Sequence, residues 1–525
     1  MGYHPGFEDD GIYLTAVKSD LNPVLYPHNS DFFKLQLKAT IFDQSVAAFV
    51  RWTGIPLAVT ELLWQFAAIF LVLFACWTIA RKLFAEPRAQ WVGVALVAAM
   101  FTLPVAGTAL NLMDQHLHPR ALATGFILLA ISAILDGEKW RTLPLLLLAA
   151  LLHPLMTAFG ISFCFFLVLT TLESTPAWMR NGQWASGGSM AEKASEKGLH
   201  LGECRKDKTA GAKAQRLFFG ICGTTKVVPC YKTGSVLSFS AVSVIFIPLG
   251  LILEPPSPSW RSAIDARKYL QLFQWQWYEW LGALAPLLLF WLLWRIARKR
   301  GETLLARFAL AVLLYGVFHM LLATVILGTP ALLRFIPLQP MRFLHLIYFF
   351  LVLMAGCLVG KYLLKASVWR WAVFLAAING GMFLAQRPLF AHSEPLALPG
   401  TSSANPWLQA FSWIRQNTPT DAYFALDPEY LAAPEENYHS FRALAERSQL
   451  ADDIKDGSVV TLLPELAPEW ARQVEAQRGW SRFQLADFER LKAEFGVNWA
   501  LVSYPQPTGL DCKWHNGSLA VCKIP

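Results

Sequence analysis

Three carboxylates stand side by side near the start of this chain, Glu8, Asp9 and Asp10 in GFEDDGIYL. A second polar group, NLMDQHLHPRA, holds Asp114, His116, His118 and Arg120. His153 sits at a His-Pro step, and LRFIPLQPMRFLHL carries Arg334, Arg342 and His345. A carboxylate can take the proton of an attacking hydroxyl that lies within hydrogen-bonding reach. Guanidinium groups grip phosphate oxygens through paired N–H donors. Ionisable residues collected at the mouths of apolar segments mark functional sites by default.

Each of these residues also has a plainer reading. Arg342 suits an interfacial anchor whose charged head reaches toward lipid headgroups. His116 and His118 have the spacing of a metal pair, but H-x-H alone is weak, and a capped, solvated loop explains it better. His345 on an apolar helix suits a hydrogen-bonded packing residue. The tryptophans at 275, 277 and 280 suit an aromatic belt at the membrane surface. The acidic opening can be read as a solvated N-terminus.

The elements that must position these residues follow from composition. The chain has 525 residues, 55% of them hydrophobic and 16% charged, with mean hydropathy +0.38. Soluble proteins carry about a quarter charged residues, and runs of about 18 or more apolar residues read as spanning helices. Candidate spans are 60–80, 91–109, 120–135, 142–152, 155–172, 236–253, 280–297, 304–328, 342–364 and 371–386. The short pair 142–152 and 155–172 meets at His153-Pro154, where proline ends a helix, so a tight turn is expected. No basic, then apolar, leader opens the chain. Eight cysteines without C-x-x-C spacing argue against a structural zinc site.

The net charge of +8 is uneven, because acids outnumber bases after about residue 390. The excess Lys and Arg of the membrane half is better read as topology than as nucleic-acid binding. Arg81, Lys82 and Arg88, then Arg295, Arg298, Lys299 and Arg300, then Lys361, Lys365 and Arg370 form three clusters expected on the cytoplasmic side. Residues 142–172 must then cross twice. The segments 1–59, 110–119, 254–279, 329–341 and the tail after 387 fall together on the outer side. Residues 176–235 lack periodicity and read as a disordered cytoplasmic insertion, with Cys204, Cys222 and Cys230 reduced. The tail, 404–525, reads as a small α/β domain. NPWLQAFSWIRQNTP and LADFERLKAEFG have helical spacing, and DAYFAL and VNWALVSY read as strands. Asn516-Gly517 signals a type I′ hairpin bringing Cys512 and Cys522 together, where an oxidising outer compartment favours a disulfide.

Taken together, EDDGIYL, LQPMRFLHL, WIRQNTPTDAYFALDP and FRALAERSQLADDIKDG resemble the GT-C superfamily of integral-membrane glycosyltransferases, in particular uncharacterised bacterial members. The resemblance covers most of the chain except 176–235. It implies an all-α polytopic transmembrane bundle over 60–386 with a small extracytoplasmic α/β domain, in the cytoplasmic membrane of a cell envelope. It also implies transfer of a sugar from a polyprenyl-phosphate donor to an acceptor on the outer face, with membrane lipids as surroundings and no nucleic acid. Asp9 or Asp10 would be the base. Arg342, Arg120 and then Arg334 would hold the phosphate, and Glu8, Asp114, His116, His118, His153 and His345 would line the substrate site. No cofactor is expected and no ligand set for a divalent metal is visible. Superfamily members place a spanning helix before the acidic loop, and the expectation here is that this first helix is missing.

Two other functions compete. A transporter or flippase needs polar groups near the bilayer midplane, whereas these spans are nearly free of charge at their centres. A non-catalytic scaffold with the tail as a binding module is the third reading.

Overall fold

The computed structural model describes residues 2–171, 256–390, 394–401, 403–432 and 439–525. The expected insertion with its three cysteines, and the expected span 236–253, lie outside the described residues. The N-terminal arm is not an open loop: it carries two helices of three turns, α1 (Asp10–Leu21) and α2 (Phe42–Thr53), with a single helical turn at Asp31–Lys34 and a 3₁₀ turn at Gln36–Ala39 between them. The membrane part follows with α3 (Leu57–Leu83), α4 (Pro87–Ala99), the short strands β1 (Pro104–Val105) and β2 (Leu110–Asn111), α5 (Pro119–Leu135), α6 (Lys139–Leu152) and α7 (Pro154–Thr171). After the undescribed stretch come α8 (Pro258–Asp265), α9 (Trp277–Lys299) and α10 (Thr303–Gly328). Two 3₁₀ segments then lead into α11 (Leu344–Val359), with α12 (Val368–Gln386) last.

The protein is a multi-pass membrane protein, mostly helical, with a small C-terminal sheet. Six helical stretches among the described residues are long and apolar enough to cross a bilayer: α3, α7, α9, α10, α12 and the continuous run Pro340–Leu364 that contains α11. Their large apolar side chains stay exposed, as at Phe66, Phe70, Leu288, Leu321 and Leu384. Such surface has no place in water and suits lipid. α12 has no buried residue at all, as fits a helix on the rim of the bundle. α5 is the opposite case, buried along most of its length and packed against α3, α6 and α7. Where α4 crosses α11, a Cβ on Gly356 would stand 2.8 Å from the Gly93 Cα. Small residues at that point let two membrane helices touch backbone to backbone.

One expected span is broken. The apolar run 91–109 is helical only to Ala99, because Pro104 cannot continue a helix and disfavours helix in the residue before it. The chain turns instead into the β1–β2 pair, with Val105 opposite Leu110. At His153 the helix does break: α6 ends and α7 starts at Pro154. α6 starts beyond Asp136, which pairs with Lys82, and its last residue precedes His153, which stacks on His118. The two ends of the bundle are therefore chemically different. The three basic clusters gather at one end, where Lys361 bridges Glu302 at 3.2 Å and Glu86 at 3.4 Å and Arg300 reaches the Tyr362 hydroxyl.

The soluble domain carries α13 (Pro406–Asn417), β3 (Tyr423–Leu426), α14 (Phe441–Ala445), β4 (Ser448–Gln449), α15 (Lys455–Leu462), α16 (Ala467–Ala476), α17 (Leu485–Phe495), β5 (Trp499–Ser503), β6 (Asp511–His515) and β7 (Leu519–Lys523). The strand order is β4-β3-β5-β7-β6, parallel among the first three and antiparallel at the β7 side. Alternation sorts the sheet faces. Phe424, Leu426, Trp499, Leu501 and Val521 pack under α13 and α14, while Tyr423, Ala425, Ala500 and Val502 pack with α17. The β6–β7 connection is Asn516-Gly517-Ser518, one residue longer than a type I′ turn, with Gly517 at φ 89°. Cys512 and Cys522 face each other across these strands and are bonded. Asn405 caps α13, accepting from the N–H groups of Trp407 and Leu408.

Within this domain a buried Arg442 on α14 donates to both oxygens of Asp456 on α15, at 2.6 and 2.7 Å. Removing one partner leaves a buried charge uncompensated. Arg442→Met should destabilise the protein by about 3–5 kcal/mol. It should also lower the apparent Tm in detergent, and Asp456→Asn in the same chain should recover part of the loss. An unchanged Tm would contradict the role given to this pair.

Candidate active site

The first ten residues are clamped on both sides. His4 N–H donates to Gln115 O at 2.8 Å, in the loop after β2, and Ser440 N–H donates to Gly6 O at 2.7 Å from the soluble domain. Lys18 of α1 holds Glu446 at 2.7 Å. The acidic opening is thus built into the junction between membrane part and soluble domain, and the solvated-terminus reading does not hold. Within the cluster the three carboxylates diverge. Asp10 turns inward and accepts the Gly6 N–H at 2.6 Å, and burial holds it above the usual carboxylate range. Glu8, with left-handed backbone (φ 47°), and Asp9 turn outward.

They turn into a cleft of about 580 Å³. Its walls include Glu8, Asp9 and Tyr13 from the arm, Asn111 from β2, and His118. Tyr269, Gln339 and Arg342 line it from the loops before α9 and α11, and Lys455 and Ser458 from α15. Gly107 lies in the β1–β2 wall at φ 61°, where a Cβ would stand 2.4 Å from the Trp275 ring. Only glycine fits there.

Asp9 Oδ1 accepts from Lys455 Nζ at 3.0 Å, and its Oδ2 lies 3.6 Å from His118 Nε2. Burial alone would raise this carboxylate, but Lys455 above all, then His118 and Arg120, hold it well below its ordinary value. Burial works against the Lys455 ammonium, and Asp9 and Glu8 outweigh it, so its pKa is raised. Glu8 goes the other way from Asp9, because burial raises it further than Lys455 lowers it. Two adjacent carboxylates are therefore pushed apart, a pattern that separates roles in acid–base sites. His118 accepts the Arg120 N–H on Nδ1 at 2.9 Å, so its proton sits on Nε2, facing Asp9. Burial, and then Arg120, lower its pKa to about 4.

Arg120 is not open to the cleft. It is buried, and its Nη2 donates to Asp114 Oδ1 at 2.5 Å. Burial opposes the Asp114 charge, and Arg120 overrides it and holds the carboxyl far below its usual range. The expectation that Arg120 binds phosphate gives way to an internal ion pair. Asp114, His116, His153 and His345 are also buried and absent from the cleft lining. His345 Nε2 meets Leu112 O at 3.0 Å, and His153 stacks on His118 with centroids 6.1 Å apart. Arg334 lies in the 3₁₀ segment Pro330–Leu338 and is not among the residues that line the cleft. Arg342, in contrast, lines the cleft, and among the described residues its side chain has no hydrogen bond or ion pair. The rings of His116 and His118 are tilted, with centroids 5.7 Å apart. Among the described residues no group of three His, Cys, Asp or Glu side chains is placed to hold a metal ion.

The sequence reading missed Lys455, Tyr13, Tyr269, Gln339 and Ser458. Lys455 stands in LADDIKDG, part of a segment that the family resemblance did pick out. Nothing in local spacing says that this lysine crosses to residue 9.

No protein-family model and no curated protein sequence matches the chain. Among solved structures it is similar to the archaeal oligosaccharyltransferase AglB from Archaeoglobus fulgidus, solved in complex with an inhibitory peptide and a dolichol-phosphate. Sequence identity is 11%, the TM-score is 0.37, and the match covers 95% of this chain and 66% of that one. The chain thus spans just under two thirds of that structure's length. Its own fold and cleft define a multi-pass membrane protein whose soluble α/β domain closes a polar cleft at one end of the helix bundle.

His118 gives this site a pH signature. Folded, it stays neutral down to about 4, whereas an unfolded histidine takes its proton near 6.5. The unfolded chain binds more protons in that window, so stability falls as pH drops from 6.5 toward 4. His118→Asn keeps a capping acceptor for Arg120 and removes up to about 3 kcal/mol of that dependence. Thermal unfolding across this range should show a shallower slope in the variant; an identical slope would contradict the buried neutral imidazole.

Proposed function

We propose that this protein is a membrane glycosyltransferase that moves a sugar from a polyprenyl-phosphate-linked donor to an acceptor hydroxyl. One observation carries the reading: Asp9, a carboxylate held well below its ordinary pKa, and Arg342, a guanidinium with no hydrogen-bond or ion-pair partner among the described residues, line the same cleft at the end of the bundle away from the basic clusters. Basic residues favour the cytoplasmic side, which supports a cleft facing outward from the cytoplasmic membrane.

The chemistry assigns each side chain a task. An acceptor oxygen attacks the anomeric carbon and its proton goes to Asp9. The bond from that carbon to the phosphate oxygen breaks, and its electron pair leaves with the lipid phosphate. Arg342 meets that growing charge with paired N–H donors. Glu8, held toward its neutral form by burial, offers a hydrogen bond to the acceptor. Arg120 and Asp114 hold His118, and His118 orients Asp9 through Nε2. The step needs electrostatic stabilisation at the leaving group, the kind of preorganised contribution that dominates many enzymes. Lipid-linked donors suit a cleft at a bundle mouth, because the chain stays in the bilayer while the sugar phosphate reaches the polar walls.

The test uses the purified full chain in nanodiscs, with radiolabelled polyprenyl-phosphate hexoses and pentoses and a membrane extract as acceptor. Asp9→Asn and Arg342→Met should each lower transfer by about 10²–10⁴-fold. Asp10→Asn and Glu8→Gln should cost about tenfold or less, the latter chiefly in KM. Full activity in both the Asp9 and Arg342 variants would refute the assignment.

A further inference from the structure

The soluble domain sends a cation into the cleft. Lys455 is the first residue of α15, and its side chain is 17% exposed beside an Asp9 side chain that is 31% exposed. Its backbone is fixed: Asp452 Oδ1 accepts from the N–H groups of Lys455 and Asp456, at 2.5 and 3.2 Å, and Asp456 is clamped by Arg442. Freedom to move therefore lies in the side chain, a compact charge on a flexible four-carbon stem. Arg342 lines the same cleft with no partner among the described residues. An anion entering there meets one open cation and one cation already engaged.

That engagement creates a conflict for Asp9. A carboxylate paired to an ammonium stays charged but accepts protons poorly. The groups facing Asp9 are Lys455 from α15, His118 and Arg120 at the head of α5, Arg342 ahead of α11, Tyr13 on α1, and its neighbours Glu8 and Asp10. Lys455 is the cation with the strongest hold on Asp9, and unlike Arg120, which is bound to Asp114, it has no ion pair with a second carboxylate among the described residues.

Resting on the glycosyl-transfer reading, we propose that Lys455 is a phosphate ligand of the donor, and that the incoming phosphodiester draws its ammonium off Asp9 and so frees that carboxylate to take the acceptor's proton. Charge is conserved within the cleft. The acceptor O–H proton moves to Asp9, the bond between acceptor oxygen and anomeric carbon forms, and the bond from that carbon to the phosphate oxygen breaks. The carboxylate loses one negative charge as the departing phosphate gains one, and Lys455 passes from the first to the second. Before the donor arrives, the Lys455–Asp9 pair keeps the base idle, so that water in an empty cleft is not activated. The soluble domain is then a working wall of the site.

The probe is dioctyl phosphate, a lipid-like phosphodiester that does not titrate near neutral pH. Isothermal titration of the full chain in nanodiscs, in two buffers of different ionisation enthalpy at pH about 6, reads affinity and proton uptake together. With no acceptor hydroxyl present, the freed Asp9 draws its proton from bulk water instead, so the wild type should bind with uptake of a measurable fraction of one proton. Lys455→Met should bind about tenfold or more weakly and take up none, whereas Lys455→Arg should bind nearly as well as wild type. Asp9→Asn should bind without uptake, and Glu8→Gln should keep the uptake. If Lys455→Met, still folded by gel filtration, matches wild type in affinity and uptake while Arg342→Met loses binding, the handover is wrong and the phosphate cleft stands. Uptake lost in Glu8→Gln but kept in Asp9→Asn would likewise overturn the handover. No binding by the wild type, or binding indifferent to Arg342, would overturn both.

Discussion

The structure depends on one ion pair, Asp9 with Lys455, which joins the N-terminal arm to the soluble domain across the mouth of the helix bundle. The two residues are 446 positions apart in sequence, and everything around them serves to bring them within reach. Gln115 and Ser440 pin the first residues from opposite sides, Lys18 ties α1 to Glu446, and Asp452 fixes the first turn of α15. Each is a polar contact in a partly buried setting, where a lost partner costs more than the contact contributes. The arm, the membrane part and the soluble domain therefore share one site.

The cleft is selective about which charges it leaves open. Eight ionisable side chains crowd the cleft end of the bundle, and most neutralise one another. Arg120 answers Asp114, Asp10 answers a backbone N–H, and His118 stays neutral between Arg120 and Asp9. Glu8 and Arg342 remain, facing the cleft without partners among the described residues, with the Asp9–Lys455 pair between them. A polar membrane site that were wholly satisfied would bind nothing, and one left wholly unsatisfied would be too costly to fold.

Much of the fold was legible from sequence, for physical reasons that differ by region. Long apolar runs such as 304–328 have few alternatives to a spanning helix, and the soluble helices announce themselves by 3.6-residue spacing in LADFERLKAEFG. Asn516-Gly517 marked a hairpin, although the loop took Ser518 as well, a choice of turn type that local composition does not dictate. The run 91–109 misled because its hydropathy is continuous while its backbone is interrupted at Pro104. At the site, residue types near the spans pointed to the end of the bundle where the cleft lies, but not to which side chains are spent internally. Arg120 and Arg342 look alike in sequence, and only the Asp114 carboxylate, six residues from one and far along the chain from the other, tells them apart. Lys455 was invisible because its role depends on a contact between chain ends.

The central claim is that Asp9, Lys455 and Arg342 surround one anion. A cryo-EM map of the full chain in nanodiscs with dioctyl phosphate tests it most directly. The account predicts phosphate density bounded by the Arg342 guanidinium and the Lys455 ammonium, with Asp9 beside it and no longer paired. Density bound elsewhere, or Asp9 and Arg342 opening onto separate surfaces, would contradict it.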